Sequence, residues 1–140
     1  MYSDFLVKQK AKRVFLSFAS EDLDHVRGLR LLKDNPNFDL EFYDESIQEP
    51  IDSINSSYIM SVIREQIKRA SVTICLISET THSSDWVDWE LRTSEEEGNI
   101  IIAMAIKAVE KAILPIFIKG KEIKFWSWNP EFLAELISKT

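Results

Sequence analysis

The sequence predicts an α/β fold: a mainly parallel sheet with helices packed on both of its faces. Three observations predict it. Short apolar runs alternate with longer amphipathic stretches along the chain. The runs are apolar at odd and even positions alike, as strands buried on both faces require. Cap and turn residues fall between the two kinds of segment.

The elements follow in order. "RVFLSF" (residues 13–18) carries aromatic and β-branched side chains and reads as a buried strand. "ASEDLDHVRGLRLLKD" reads as a helix: Ser20 suits an N-cap, Glu21, Asp22 and Asp24 suit the first turn, and Val26, Leu29 and Leu32 form its stripe. "FDLEFYD" (residues 38–44) is a second strand, and the polar "ESIQEPIDSINS", with Pro50, is a loop. "SYIMSVIREQIKRA" repeats isoleucine at 59, 63 and 67, a helical spacing. "SVTICLIS" (residues 71–78) is the most apolar strand and belongs at the centre. After the loop "ETTHSSD" comes the helix "DWVDWELRTSEEEG", stopped at Gly98. "NIIIAMAI" (residues 99–106) is a further buried strand. The tail "AILPIFIKGKEIKFWSW" holds one strand or two, and "NPEFLAELISK" closes the chain as a helix with Asn129 as cap and Pro130 at its first position. In it, Trp126 and Trp128 are expected to seal the last strand against the closing helix.

The 140 residues suit one domain spanning 1–140, with 1–12 as an N-terminal extension. Seventeen basic against 23 acidic residues give a net charge of −6, which argues against nucleic acid or an anionic membrane as partner. One cysteine, Cys75, excludes an internal disulfide and suits a reducing compartment; it reads as core. With only two histidines, one of them His82 in a solvated loop, no metal site is expected. No apolar run is long enough to cross a bilayer, and the first residues lack the apolar core of a signal peptide. A cytoplasmic protein is expected.

Parallel sheets bind ligands beyond the carboxyl ends of their strands. That places "FASED", "DESIQ" and "SETTHSSDW" on the working edge. Helical phase then separates one acid from its neighbours. With Trp86 at zero, Glu90 falls at ~40°, Ser94 at ~80°, Val87 at ~100° and Leu91 at ~140°. Asp88, Arg92, Glu95 and Glu96 lie between ~180° and ~280°, on the wet face. A carboxylate among apolar side chains loses solvation and tends toward a raised pKa. By periodicity alone, Glu90 could equally border the core with its tip in water, or pair with an arginine.

These segments resemble a known family. "RVFLSFASED" is similar to the opening strand and loop of TIR (Toll/interleukin-1 receptor type) domains. "SSDWVDWE" resembles their serine–tryptophan segment, with Glu90 four residues after Trp86. Together with "EEGNIII", the likeness is greatest to the TIR-like proteins of bacterial Thoeris anti-phage defence. The resemblance implies a flavodoxin-like three-layer fold with about five strands. It implies cleavage of NAD between nicotinamide and ribose, with Glu90 catalytic, and an ADP-ribose product, often cyclic, that reaches an effector as a diffusible messenger. NAD is then substrate, with no further cofactor. Phe18 and Trp86 are candidates to stack on its rings, Ala19 and Ser20 to meet the pyrophosphate at the start of the "ASED" helix, and Asp44 and Ser46, in the loop after the second strand, to close over it. Self-association through TIR surfaces is a further expectation. Two other classes compete. A TIR-type assembly module would do no chemistry, though Trp86 and Glu90 at this spacing favour an enzyme. A phosphate-accepting receiver would need an aspartate ending the central strand, where this chain has Ser78.

Overall fold

A computed structural model describes residues 12–34, 43–44, 55–107 and 111–140. Five strands form one sheet: β1 (Arg13–Ser17), β2 (Tyr43–Asp44), β3 (Val72–Ile77), β4 (Ile100–Ala105) and β5 (Phe125–Trp126). Their order is β2-β1-β3-β4-β5, and every pairing is parallel. All six residues of β3 are buried, so the most apolar run does occupy the centre.

Five helices cover this sheet: α1 (Leu23–Asp34), α2 (Ser56–Arg69), α3 (Asp85–Glu96), α4 (Ile116–Gly120) and α5 (Pro130–Ser138). Successive strand residues point to opposite faces, which sorts the core into two sides. On one side Leu16, Ile74, Leu76 and Met104 pack with Val26 and Leu29 of α1 and with Leu133 and Ile137 of α5. On the other, Cys75, Ile77 and Ala103 meet Val87 and Leu91 of α3 and Ile118 of α4. There too Phe15 meets Ile63 and Ile67 of α2. Each such aliphatic side chain contributes about 1.5–3 kcal/mol on burial, and Ile74→Ala would cost roughly 2–5 kcal/mol through its cavity. The result is the three-layer, flavodoxin-like arrangement expected from the sequence.

Local chemistry sets the helix boundaries. The side chains of Asn55, Ser84 and Asn129 accept hydrogen bonds from the amides of Tyr58, Val87 and Phe132, capping α2, α3 and α5. Pro130 sits at the first turn of α5, as its fixed φ favours. After α3 the chain turns at Gly98 with φ +81, the left-handed conformation that suits glycine. Trp126 packs edge-on against Phe132 of α5 with ring centroids 4.7 Å apart, so it does seal β5 against the closing helix.

One expectation changes and one open alternative is decided. Ser20 caps no helix: residues Ser20–Asp22 form a 3-10 turn preceded by Ala19, and α1 begins only at Leu23. The Ser20 hydroxyl instead donates to the neighbouring Glu21 carboxylate. In the tail the one-strand alternative holds, and the apolar run "PIFIKG" before it is a short helix. Pro115 starts it, Ile118 turns into the core, and Ile116 is left 85% exposed. One strand of two residues follows. Of the predicted strand 38–44 only Tyr43 and Asp44 lie within the described residues.

Candidate active site

The chain leaves β1 for β2 at one side of the sheet and then passes β1 again to form β3. Strand order therefore reverses between β1 and β3, and the crevice at the carboxyl ends of that pair is where such sheets bind ligands. Ser17, the last residue of β1, is in register with Cys75 of β3. Both are fully buried, on the face covered by α3.

Glu90 comes down from α3 onto this point. The Ser17 hydroxyl donates a 2.8 Å hydrogen bond to Glu90 Oε1. Residue 90 as a whole is of intermediate exposure, yet protein atoms crowd its carboxyl. Burial pushes its pKa from the ordinary 4.5 up to about 8, against the opposing pull of the Ser17 hydrogen bond. Beneath it, burial first and the Glu90 charge second push the Cys75 thiol upward, so Cys75 stays an inert thiol.

Helix rotation aims Glu90, and a line of buried polar groups sets that rotation. The Asn99 side-chain amide donates to the Ile67 carbonyl at 3.0 Å and to Thr73 Oγ1 at 3.2 Å. Thr73, on β3, donates to Ser94 Oγ at 2.7 Å. Ser94 donates in turn to the Glu90 carbonyl at 2.8 Å. Thr73 and Ser94 are fully buried, so the bond between them lies where water cannot replace it. Val87 and Leu91, both fully buried, hold the same face of α3 against the sheet. The wet-face acids of α3 behave differently and pair with cations: Asp88 with Arg92 at 2.7 Å, Glu95 with Lys121 at 3.0 Å, and Glu96 with Arg64 at 3.3 Å.

The remaining sequence candidates divide. Phe18 follows β1, partly buried against the core, with the Arg30 guanidinium 5.8 Å from its ring centre. Ala19 is buried and Ser20 exposed. Trp86 lies one turn before Glu90 and is 43% exposed, edge-on to Trp89 at 5.8 Å. Trp89, not Trp86, is the packing anchor, seated against the Phe15–Ile63–Ile67 cluster under Arg64. Asp44 ends the described part of β2 in register with Val14. That register is three residues short of Ser17, about 10 Å along the strand. Ser46 lies outside the described residues. His82 is exposed, as expected of a loop residue.

Sequence reasoning missed Ser17 and Asp22. Asp22 is only 2% exposed. It accepts a 2.5 Å hydrogen bond from Ser78 Oγ and lies 3.8 Å from Lys107 Nζ. The Ser78 amide donates to Thr81 Oγ1 at 2.8 Å. Asp22 thus joins the loop after β1 to the segments after β3 and β4. Its neighbours Glu21 and Asp24 are equally acidic, so composition offered no mark to single it out. Ser17 carried one usable signal, a polar residue closing an otherwise apolar strand beside the predicted ligand edge. Among the described residues no cluster of histidine, cysteine, aspartate or glutamate could hold a metal ion.

A five-stranded parallel sheet in this order, with an acid aimed at its switch point, defines the class: a TIR-like α/β domain. The fold matches the TIR domain of the Toll-related receptor TRR-2 from Hydra magnipapillata with a TM-score of 0.60 and 15% identity, over 92% of this chain and 94% of that one. It matches the CMP N-glycosidase BcmB of Clostridium botulinum with a TM-score of 0.59 and 17% identity, over 89% and 98%. At these identities the likeness is one of fold. Within the class, residues 15–111 match the family described as Thoeris protein ThsB, TIR-like domain, and the chain belongs to that family. It is 31% identical over 115 residues to a protein of Bacillus cereus (strain MSX-D12) named "Putative cyclic ADP-D-ribose synthase ThsB1". That match covers 79% of this chain and 59% of the relative, so the chain spans about three fifths of the relative's length.

Proposed function

We propose that this protein cleaves NAD, releasing nicotinamide and leaving an ADP-ribose product, cyclic in form, that serves as a messenger in anti-phage defence. The observation that carries this reading is the Glu90 carboxyl held by Ser17 at the β1/β3 switch point. Membership of the Thoeris family and the name of the Bacillus cereus relative support it.

The chemistry asks for little more. The bond between ribose C1′ and the nicotinamide nitrogen breaks, and its electron pair leaves with nicotinamide, which departs neutral from a cation. No general acid is required for that departure. The ribosyl centre becomes oxocarbenium-like, as in glycoside hydrolysis. An ionised Glu90 stabilises that charge and holds the ribose hydroxyls. A ring nitrogen of the same molecule's adenine, or water, then bonds to C1′ and a proton is released. The positive nicotinamide ring, once bound, favours the carboxylate form of Glu90 against its burial. Phe18 and the exposed Trp86 stack on the rings, and Ala19 and Ser20 border the pyrophosphate. Asp44 and Ser46 are further candidate contacts, to a part of NAD away from the Glu90 carboxyl. NAD is the substrate and no other cofactor is proposed. A cytoplasmic enzyme that self-associates through its TIR surfaces, and whose product reaches a separate effector, completes the reading. Among the described residues no helix is long and apolar enough to cross a membrane.

The test incubates the purified protein with NAD, alone and with phage-infected lysate, and follows nicotinamide and ADP-ribose species by mass spectrometry. Wild type should release nicotinamide, faster as pH rises through about 8, where Glu90 loses its proton. Glu90→Ala and Glu90→Gln should not. No nicotinamide in either arm, or variants equal to wild type, would turn the protein into the competing assembly module without chemistry.

A further inference from the structure

We propose that Ser17 is a positioning residue for Glu90: its hydroxyl holds one carboxylate oxygen so that the other faces the substrate. This rests on the reading of Glu90 given above. Ser17 is 0% exposed, on a strand whose neighbours at 14, 15 and 16 are all apolar and buried. A hydroxyl in that setting needs a partner, and Glu90 Oε1 at 2.8 Å supplies it. The bond spans 73 residues of sequence, so it joins a strand to a helix that nothing local aligns.

The two carboxyl oxygens differ in kind. Oε1 is tied down. Oε2 has no hydrogen-bond partner among the described residues, yet it is not among the sealed, partnerless polar atoms, so it reaches solvent. A carboxylate held at one oxygen cannot spin about its last bond, and the free oxygen keeps one direction. The groups around it leave this task to Ser17. Cys75, beneath on β3, is a buried neutral thiol. From α2, Arg64 is turned over the Trp89 ring and toward Glu96 and Glu97. On α3 itself Asp88 is engaged by Arg92. Asp22, nearer the loop, is held by Ser78 and Lys107. Ser17 is therefore the one donor to the Glu90 carboxyl among the described residues.

The experiment compares wild type, Ser17→Ala, Ser17→Thr and Glu90→Gln. The carboxyl carbons of glutamate are labelled and the Glu90 resonance, identified by its loss in Glu90→Gln, is titrated by NMR. Nicotinamide release is measured from pH 6 to 9 on the same proteins. Ser17→Ala should move the Glu90 midpoint upward, because it removes a donor that favours the ionised form. Its kcat at neutral pH should fall about tenfold or more, with KM little changed, and the alkaline rise in its pH profile should move with the midpoint. Ser17→Thr keeps the hydroxyl and should keep the wild-type midpoint, so a misfolded alanine variant leaves the question answerable. A Glu90 midpoint in Ser17→Ala equal to wild type, or a shifted midpoint in Ser17→Thr, overturns the role given to Ser17. Full activity in Glu90→Gln overturns the catalytic reading instead, a result the NMR titration does not depend on.

Discussion

Two acids stand at the same edge of this sheet, and each takes a hydrogen bond from a serine at a strand end. Asp22 is bonded by Ser78 and faced by Lys107, and its carboxyl is closed off. Among the described residues Glu90 has Ser17 alone as donor and no cation beside it. The first is satisfied and joins three loops. The second is left incomplete, and an incomplete buried acid is available for a cationic partner that arrives from outside. The difference lies in the company each carboxyl keeps.

The sharpest way to break the comparison is Glu90→Gln. Nicotinamide release should fall by about 10²–10³-fold, the usual loss when one aimed electrostatic group is removed. Stability should move the other way. The folded state holds a proton on Glu90 up to about pH 8, while the unfolded chain releases it near 4.5. This group's contribution is thus full below pH 4.5 and is lost as pH rises through about 8. Wild-type melting temperature should fall over that range beyond what Glu90→Gln shows, with the variant more stable by on the order of 3 kcal/mol at pH 9. Parallel melting curves for the two proteins would contradict the burial ascribed to Glu90.

Asp22→Ala should do the reverse. It removes the acceptor of the Ser78 hydroxyl and the anion facing Lys107, and costs about 2–3 kcal/mol in denaturant unfolding. Next comes Thr73→Val, which cuts the polar line from Asn99 to Ser94. We expect a loss of about 1–2 kcal/mol and a lower kcat, as α3 loses its fixed rotation. The smallest effect is that of Trp86→Ala. A side chain 43% exposed should change stability by less than about 1 kcal/mol, while KM for NAD rises several-fold. A large loss of stability there would make Trp86 a packing residue after all.

How much of this was legible beforehand follows from the physics of each signal. Periodicity speaks to which face a residue takes, so it separated Glu90 from Asp88, Glu95 and Glu96 on a single helix. It says nothing of what lies opposite, so Ser17, 73 residues away, stayed hidden as a strand residue. Strand order was hidden for the same reason, since β1 and β3 meet only through tertiary pairing. Trp86 and Trp89 are three residues apart and equally apolar, and only the packing of α2 against α3 decides which one is covered. The tail stayed open between one strand and two because the β-branched residues of "PIFIKG" suit a strand, while Pro115 and a single inward side chain, Ile118, suffice for one helical turn. The cap at Asn129 and the stop at Gly98 are local chemistry, and there the reading held.

Cys75 has one more consequence. It is the chain's one cysteine, fully buried in the central strand, with its thiol pushed upward. Thiol reagents attack the thiolate and must reach it. The folded protein is therefore silent to them, and labelling proceeds only through moments when the packing of Val87, Leu91 and Ile118 over Cys75 opens. Its rate is a clock for the spot where Ser17 and Glu90 meet, read without a substrate, an engineered probe or a second cysteine to confuse the count.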